Sequence, residues 1–225
     1  MSKSLFIKTL ESQFKKASQP TIAARQTAYL RNLFPFLGLT KPHRVILEKE
    51  VFKQYPLREE SELIEILHTL WGKEHREYQY TALTLARRYK NFHTPQMLHT
   101  FEYMIRNKSW WDSVDDIASN LVGQLIFDNP VMITQMDNWI QDPNLWIRRT
   151  ALIFPLKWKD ETEEKRLFGY CEKTMHENDF FMRKAIGWTL RQYSKFNPKA
   201  VKLFVNRNKE SLSPLSIREA SKYLG

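Results

Sequence analysis

The chain has 225 residues, of which 42% are hydrophobic and 13% aromatic, with 35 Lys and Arg against 25 Asp and Glu. This length suits one large domain or two small ones, and the composition excludes a disordered or collagen-like chain. The formal net charge of +10 favours an anionic partner, most simply nucleic acid, although many basic proteins bind none.

Several classes of protein and site are not expected. The single Cys171 excludes an internal disulfide framework or a Cys-rich metal site and favours a reduced, cytoplasmic setting. No uncharged stretch is long enough to cross a membrane, and no apolar secretion signal opens the chain. The six His residues form no His-x-x-x-His pair, and phosphate-binding glycine motifs are missing, so we expect neither a metal nor a cofactor.

Helical spacing of apolar residues runs through the whole chain, whereas strand-like alternation is rare. One example is the set Leu63, Ile66, Leu67 and Leu70. Proline, which is tolerated in the first turn of a helix, marks many of the expected helix starts. These prolines are Pro20, Pro42, Pro95, Pro130, Pro143, Pro198 and Pro214. The pattern predicts an all-α chain of about twelve short helices.

Three of the predicted helices resemble one another at a period of about 35 residues. The copies begin at Tyr80, Arg149 and Lys184, and each ends in an aromatic residue. A period of this length is typical of stacked helix pairs of the HEAT or armadillo kind, which offer a concave surface. Pro155 falls inside the second copy, where we expect it to kink or end the helix.

The stretch Ser109-Trp-Trp-Asp-Ser-Val-Asp115 is the most informative for chemistry. Ser109 and Asp112 form a variant capping box, which predicts a helix start at Ser109. Trp111 and Asp115 are then four residues apart, on one face, where an aromatic ring and a carboxylate could bind a cation. The pattern alone favours a second interpretation, in which the tryptophans belong to the core and Asp115 is a solvated helix residue.

This stretch and four others, in the same order along essentially the whole chain, closely resemble the AlkD-type DNA alkylation repair glycosylases. The other four are Tyr29–Gly38, Asn144–Ala151, Lys184–Arg191 and Pro214–Ala220. The resemblance implies a right-handed solenoid of about six HEAT-like helix pairs, one domain over 1–225, with a concave basic groove for duplex DNA. The segment from Pro20 to Leu33, which we expect to form the second helix, favours the active type of relative.

The resemblance also implies an activity. Members of this family remove cationic N3- and N7-alkylated purines from DNA, such as 3-methyladenine and 7-methylguanine, and leave an abasic site without flipping the base into a pocket. We therefore expect a monofunctional glycosylase of base excision repair, acting as a monomer on alkylated duplex DNA. The expected location is the cytoplasm of a prokaryotic-type cell, in association with the nucleoid.

The family's functional residues map onto matching residue types here. The catalytic Asp falls on Asp115, and the two active-site tryptophans fall on Trp111 and Trp188. The backbone-contacting Arg falls on Arg149, and a Tyr implicated near the lesion falls on Tyr29. We also predict a DNA contact for Lys184, whose copy of the repeat carries Trp188.

The sequence departs from the family pattern after Pro42. The expected basic residue is displaced by one position, so Val45 stands at the family's Arg and Arg44 is a possible substitute for DNA binding.

Two other functions stay open. A non-catalytic relative that binds DNA would need only the basic surface, and a protein-binding HEAT scaffold would need neither the charge nor the Asp115 cluster.

Overall fold

The computed structural model describes residues 3–224, and all regular structure among them is helical. The α-helices are α1 Lys3–Lys16, α2 Pro20–Tyr29, α3 Lys41–Gln54, α4 Glu60–Gly72, α5 Arg76–Arg88, α6 Met97–Arg106, α7 Trp111–Asp116, α8 Gly123–Asp128, α9 Ile133–Trp139, α10 Leu145–Ile153, α11 Glu164–Thr174, α12 Phe180–Tyr193, α13 Pro198–Arg207 and α14 Pro214–Ala220. Short 3₁₀ helices span Lys90–Phe92, Pro130–Met132, Phe154–Lys157, Lys159–Glu161 and Ser221–Tyr223. The all-α prediction is confirmed.

The prolines lie at or just before helix starts, as predicted. Five of the seven occupy the first or second position of a helix, and Pro95 and Pro143 each precede one by two residues. The structure confirms that the helix ends near Pro155: α10 ends at Ile153, and the chain passes into the 3₁₀ helix Phe154–Lys157, which contains Pro155. A proline lacks the N–H that would continue the α-helical ladder.

The chain forms two compact units, which we call unit 1 (Met1–Thr100) and unit 2 (Phe101–Gly225). Helices that are neighbours in sequence pack together within each, among them α4 with α5, α9 with α10, α11 with α12 and α13 with α14. This is the helix pairing that the 35-residue period predicted. The prediction of one domain over 1–225 stays a prediction.

Unit 1 is organised around a buried carboxylate. Glu77, at the start of α5, accepts hydrogen bonds from the backbone N–H groups of Leu37, Gly38 and Leu39 at 2.8–3.1 Å. Gly38 has a φ of 89°, and a Cβ there would lie 2.1 Å from the carbonyl oxygen of Gln19. Only glycine fits this turn. The turn fixes the start of α2, because the Gln19 N–H donates to the Leu37 carbonyl at 2.8 Å.

The second members of three successive helix pairs form one layer of unit 2. α10 packs on α12, α12 packs on α14, and α7 packs on α10. Side-chain caps fix three of these helices, and that of α14 is Ser213, which accepts from the N–H of Ser216 at 3.0 Å. Asn144 accepts from the N–H of Trp146 at 2.8 Å, and Asp179 accepts from the N–H of Phe181 at 2.7 Å. Each cap contributes about 1 kcal/mol and sets the register of its helix.

The helix that carries Asp115 begins later than predicted. α7 starts at Trp111, and the Ser109 hydroxyl donates backwards to the Ile105 carbonyl instead of capping a new helix. The prediction of a start at Ser109 is therefore wrong by two residues. From Asp116 the chain continues through a π-helical turn, Ile117–Val122, into α8. Such π turns are rare and recur at functional sites.

Two properties bear on the sequence predictions. No helix within 3–224 combines the length and the hydropathy that a membrane span requires. Cys171 is completely buried, and burial raises the pKa of its thiol above the ordinary value. A neutral thiol behaves as a small apolar side chain.

Candidate active site

A pocket of about 320 Å³ opens on the layer formed by α7, α10, α12 and α14 in unit 2. Its lining residues are Trp111, Asp115, Arg149, Phe180, Phe181, Lys184, Trp188, Arg191 and Glu219. The set combines two carboxylates, three cations and four aromatic rings. Five of the seven site residues predicted from the sequence therefore meet in one place.

Asp115 and Arg149 form a two-pronged ion pair in one wall of this pocket. Arg149 Nε donates to one carboxylate oxygen and Nη2 to the other, both at 2.8 Å. The side chains are 18% and 4% exposed, respectively. Paired hydrogen bonds of this kind fix both planar groups in one orientation. Asp116 does not line the pocket, and it accepts a hydrogen bond from Asn120 at 2.7 Å.

Burial raises the pKa of the Asp115 carboxyl above its ordinary value of 3.8. Loss of hydration is the largest cause, and the hydrogen bonds and charge of Arg149 oppose it. Asp112, three residues away on the same helix, raises the pKa further by repulsion. The result is a poorly hydrated carboxylate whose cationic partner is Arg149.

The Phe181 residue holds Arg149 from a second side. Its carbonyl oxygen accepts from Arg149 Nη1, and the guanidinium lies 5.9 Å from the centre of its ring. That ring also packs against Trp110 and Trp146, with centroids 5.1 and 5.0 Å apart. A guanidinium has five N–H donors, of which these contacts and the ion pair use three. The others remain for a further acceptor.

The opposite wall carries the second carboxylate. Glu219 on α14 accepts from Lys184 at 3.0 Å, from Arg191, and from Lys222 at 3.0 Å. Hydrogen bonds from Lys184 and then Lys222 lower the pKa of the Glu219 carboxyl from 4.5 to about 2, against a smaller opposing effect of burial. This carboxylate is therefore ionised at neutral pH.

The repeat explains why these charges meet. Arg149 follows Asp115 by 34 residues, Lys184 follows Arg149 by 35, and Glu219 follows Lys184 by 35. Equivalent positions of stacked repeats lie side by side. An acid–base pair thus forms between α7 and α10, and a base–acid pair between α12 and α14.

The remaining two predicted site residues belong to unit 1. Tyr29, the last residue of α2, is 72% exposed, and its role near a lesion stays a prediction. Arg44 is buried in α3 and pairs with Glu48, its guanidinium 5.4 Å from the Tyr80 ring centre. The DNA contact expected of Arg44 stays a prediction.

Four lining residues were not predicted: Phe180, Phe181, Arg191 and Glu219. The period of 35 residues could have identified Glu219, because it counts forward from Lys184. Phe180 and Phe181 follow the Asp179 cap and open α12, and Phe180 is 53% exposed beside the pocket. No metal-binding group of three His, Cys, Asp or Glu side chains is found over 3–224.

The chain has clear relatives among known proteins. A sequence model of the family described as DNA alkylation repair enzyme matches residues 10–224. The solved structure of a predicted DNA alkylation repair enzyme from Enterococcus faecalis is 32% identical, with a TM-score of 0.86, over 92% of this chain and 97% of that one. No curated protein sequence matches this chain.

Two more distant structures share the fold. AlkD2 from Streptococcus mutans is 14% identical, with a TM-score of 0.67, over 99% of both chains. The protein smu.31 from Streptococcus mutans UA159 is 16% identical, with a TM-score of 0.63, over 79% of this chain and 91% of that one. At these identities the likeness concerns the arrangement of helices and not the chemistry of the site.

Proposed function

The chain belongs to the DNA alkylation repair enzyme family, and from that premise we propose that it is a DNA glycosylase that acts on cationic N3- and N7-alkylated purines. Its substrates would be bases such as 3-methyladenine and 7-methylguanine in duplex DNA. The observation that carries the proposal is Asp115, a poorly hydrated carboxylate in an open pocket between two tryptophans and a set of cations.

The charge of Asp115 suits the transition state of this reaction. Alkylation at N3 or N7 makes the purine cationic and therefore a better leaving group. As the bond between C1′ and the purine nitrogen breaks, its electron pair neutralises the base, and positive charge develops on the sugar. A fixed carboxylate next to the sugar stabilises this charge, as carboxylates do in glycoside hydrolysis.

Water completes the reaction. Its oxygen forms a bond to C1′, and the water gives up one proton to the solvent, so that the products are a free neutral purine, an abasic site and a proton. Asp115 is suited to orient this water, since an ionised carboxylate accepts hydrogen bonds through both oxygens. We propose a monofunctional hydrolase, because no lysine is assigned a covalent role and Lys184 is engaged by Glu219.

The neighbouring residues divide the remaining tasks. The half-buried rings of Trp111 and Trp188 offer their negative faces to the developing cation of the deoxyribose. Arg149 is proposed to bind a backbone phosphate through its remaining N–H donors while it holds Asp115 in place. All these contacts involve sugar and phosphate, so the base can react without being flipped into a pocket of its own.

Release of a methylated purine tests the proposal directly. Duplex DNA treated with a methylating agent is incubated with the protein, and the released bases are separated by chromatography. We expect 7-methylguanine and 3-methyladenine above the spontaneous background. DNA binding without release would favour the non-catalytic DNA-binding alternative, and neither release nor binding would favour a protein-binding scaffold.

A further inference from the structure

Glu219 lies in the wall of the pocket but takes no part in the chemistry proposed above. Its side chain is 6% exposed, and it binds three cations with two oxygens. Oε1 accepts from Lys184 at 3.0 Å, Oε2 accepts from Arg191, and Lys222 donates to both at 3.0 Å. A buried carboxylate that joins this many charged side chains fixes their positions relative to one another.

Two of the three cations face the pocket. Lys184 and Arg191 are seven residues apart on α12, with Trp188 between them, so all three lie on one face of the helix. Lys222 does not line the pocket. The contacts with Glu219 use one of three N–H donors on Lys184 and one of five on Arg191.

The approach of α14 to α12 is built for this contact. A Cβ on Gly187 would lie 2.5 Å from the Cβ of Glu219 and 3.0 Å from the carbonyl oxygen of Ser216. Any larger residue would push α14 outwards. The Ser216 hydroxyl, in turn, donates to the Arg183 carbonyl at 2.9 Å. The glycine therefore allows Glu219 to reach across to α12.

We propose that Glu219 is a positioning residue, which fixes Lys184 and Arg191 as a two-pronged clamp for a backbone phosphate of duplex DNA beside Asp115. The inference rests on the proposed function, since it takes the pocket as the place where the DNA backbone lies. Long Lys and Arg side chains lose much rotamer freedom when they bind a phosphate. Glu219 orders them before DNA arrives, and the four charges still sum to a net positive field.

Removal of the Glu219 charge separates this role from a simple electrostatic one. If Glu219 acted only through its negative charge, Glu219→Gln would strengthen DNA binding. The clamp predicts the opposite. We expect affinity for unmodified duplex to fall about tenfold, with a salt dependence shallower by about one released ion, because a phosphate contact is lost. The single-turnover release of 7-methylguanine at saturating enzyme should slow by about tenfold.

Glu177→Gln is the matched control, because it makes the same change of charge in unit 2 outside the pocket. Glu177 pairs with Arg148 in a two-pronged contact at 2.7 and 3.0 Å. We expect this variant to bind duplex at least as tightly as the wild type, with an unchanged release rate. Equal or tighter binding by Glu219→Gln, with an unaltered salt slope, would overturn the clamp.

A second variant keeps the charge and alters the position alone. Glu219→Asp shortens the side chain by one methylene, so we expect loss in the same direction as for Glu219→Gln but smaller. If circular dichroism shows that Glu219→Gln is unfolded, Glu219→Asp becomes the test of the proposal. Wild-type affinity and release rate in a folded Glu219→Asp variant would then refute it. A wild-type protein without release activity would defeat the glycosylase proposal, while the affinity and salt comparison would still test the clamp.

Discussion

Asp115 and Glu219 lie on two walls of one pocket, and their surroundings differ in almost every respect. Among residues 3–224, Asp115 has one cationic partner, Arg149, and burial raises its pKa. Glu219 has three cationic partners, which lower its pKa to about 2. The side chain of Asp115 is nevertheless the more exposed of the two, at 18% against 6%.

The difference shows how one repeat position can serve two purposes. A carboxylate whose charge is fully compensated has little left to offer a substrate, and it acts on its neighbours. A carboxylate that lacks both hydration and a full set of partners is stabilised by any new positive charge that forms beside it. Asp115 is in the second state, which is the one that a cationic transition state requires.

Removal of the Asp115 charge should give the largest effect. Asp115→Asn keeps the shape of the side chain but offers no charge to the developing cation, so we expect release of 7-methylguanine to slow by about 10²- to 10³-fold. Duplex binding should stay nearly intact, because Asp115 contributes no contact to a phosphate. Single-turnover release and a binding titration measure the two quantities, and unchanged release would remove Asp115 from the mechanism.

The pH dependence of release should separate the two carboxylates. Asp115 must be ionised to act, so the rate should fall by about tenfold per pH unit below its raised pKa, at higher pH than for a carboxyl with the ordinary value of 3.8. Glu219 stays ionised throughout that range, and the stability it contributes is lost only as pH falls from 4.5 towards 2. Glu219→Gln should therefore leave the midpoint of the acid limb in place.

Much of this site could be predicted from the sequence, because its residues recur at regular spacings along the chain. A period of 35 residues placed Arg149 and Lys184 at equivalent positions, and the four-residue spacing placed Trp111 beside Asp115. The same period reaches Glu219, but its role depends on contacts between helices. Burial is harder to predict than position, as Arg44 shows. A basic residue on a predicted helix does not reveal whether it faces solvent, and Arg44 is buried. Glu48, four residues later, was the available sign of an internal pair.

The boundaries of the helix that carries Asp115 were harder to predict than its existence. Ser109 and Asp112 matched a capping pattern, yet the Ser109 hydroxyl found a closer acceptor in the preceding helix. The π turn Ile117–Val122 has backbone angles at Asp116, Val122 and Gly123 that are ordinary for an α-helix. No residue type in this segment is specific to a π turn, so the pattern of apolar residues could not have predicted the turn.

Loss of Arg149 should have an effect on DNA binding and release that is intermediate among these predictions, and it leaves Asp115 without its partner. Arg149→Ala should weaken duplex binding by about tenfold, with a salt slope smaller by about one, if the side chain holds a phosphate. The fall of the release rate at acidic pH should also begin at higher pH. Without Arg149, the rise in the Asp115 pKa that desolvation causes is no longer opposed. Arg148→Ala, which removes the same charge from a side chain paired with Glu177, is the control. Unaltered affinity and salt slope would argue against a phosphate contact.

The smallest effect is expected at Lys222, and it tests whether the partners of Glu219 are equivalent. Lys222 donates to both oxygens of Glu219, but its side chain is 47% exposed and stands outside the pocket. Lys222→Ala should change release by less than about twofold, because an exposed ion pair contributes little. Lys184 and Arg191 keep their contacts with Glu219 in that variant. A loss as large as that of Glu219→Gln would mean that the balance of charge around Glu219, and not the orientation of the two pocket-facing cations, decides how DNA is held.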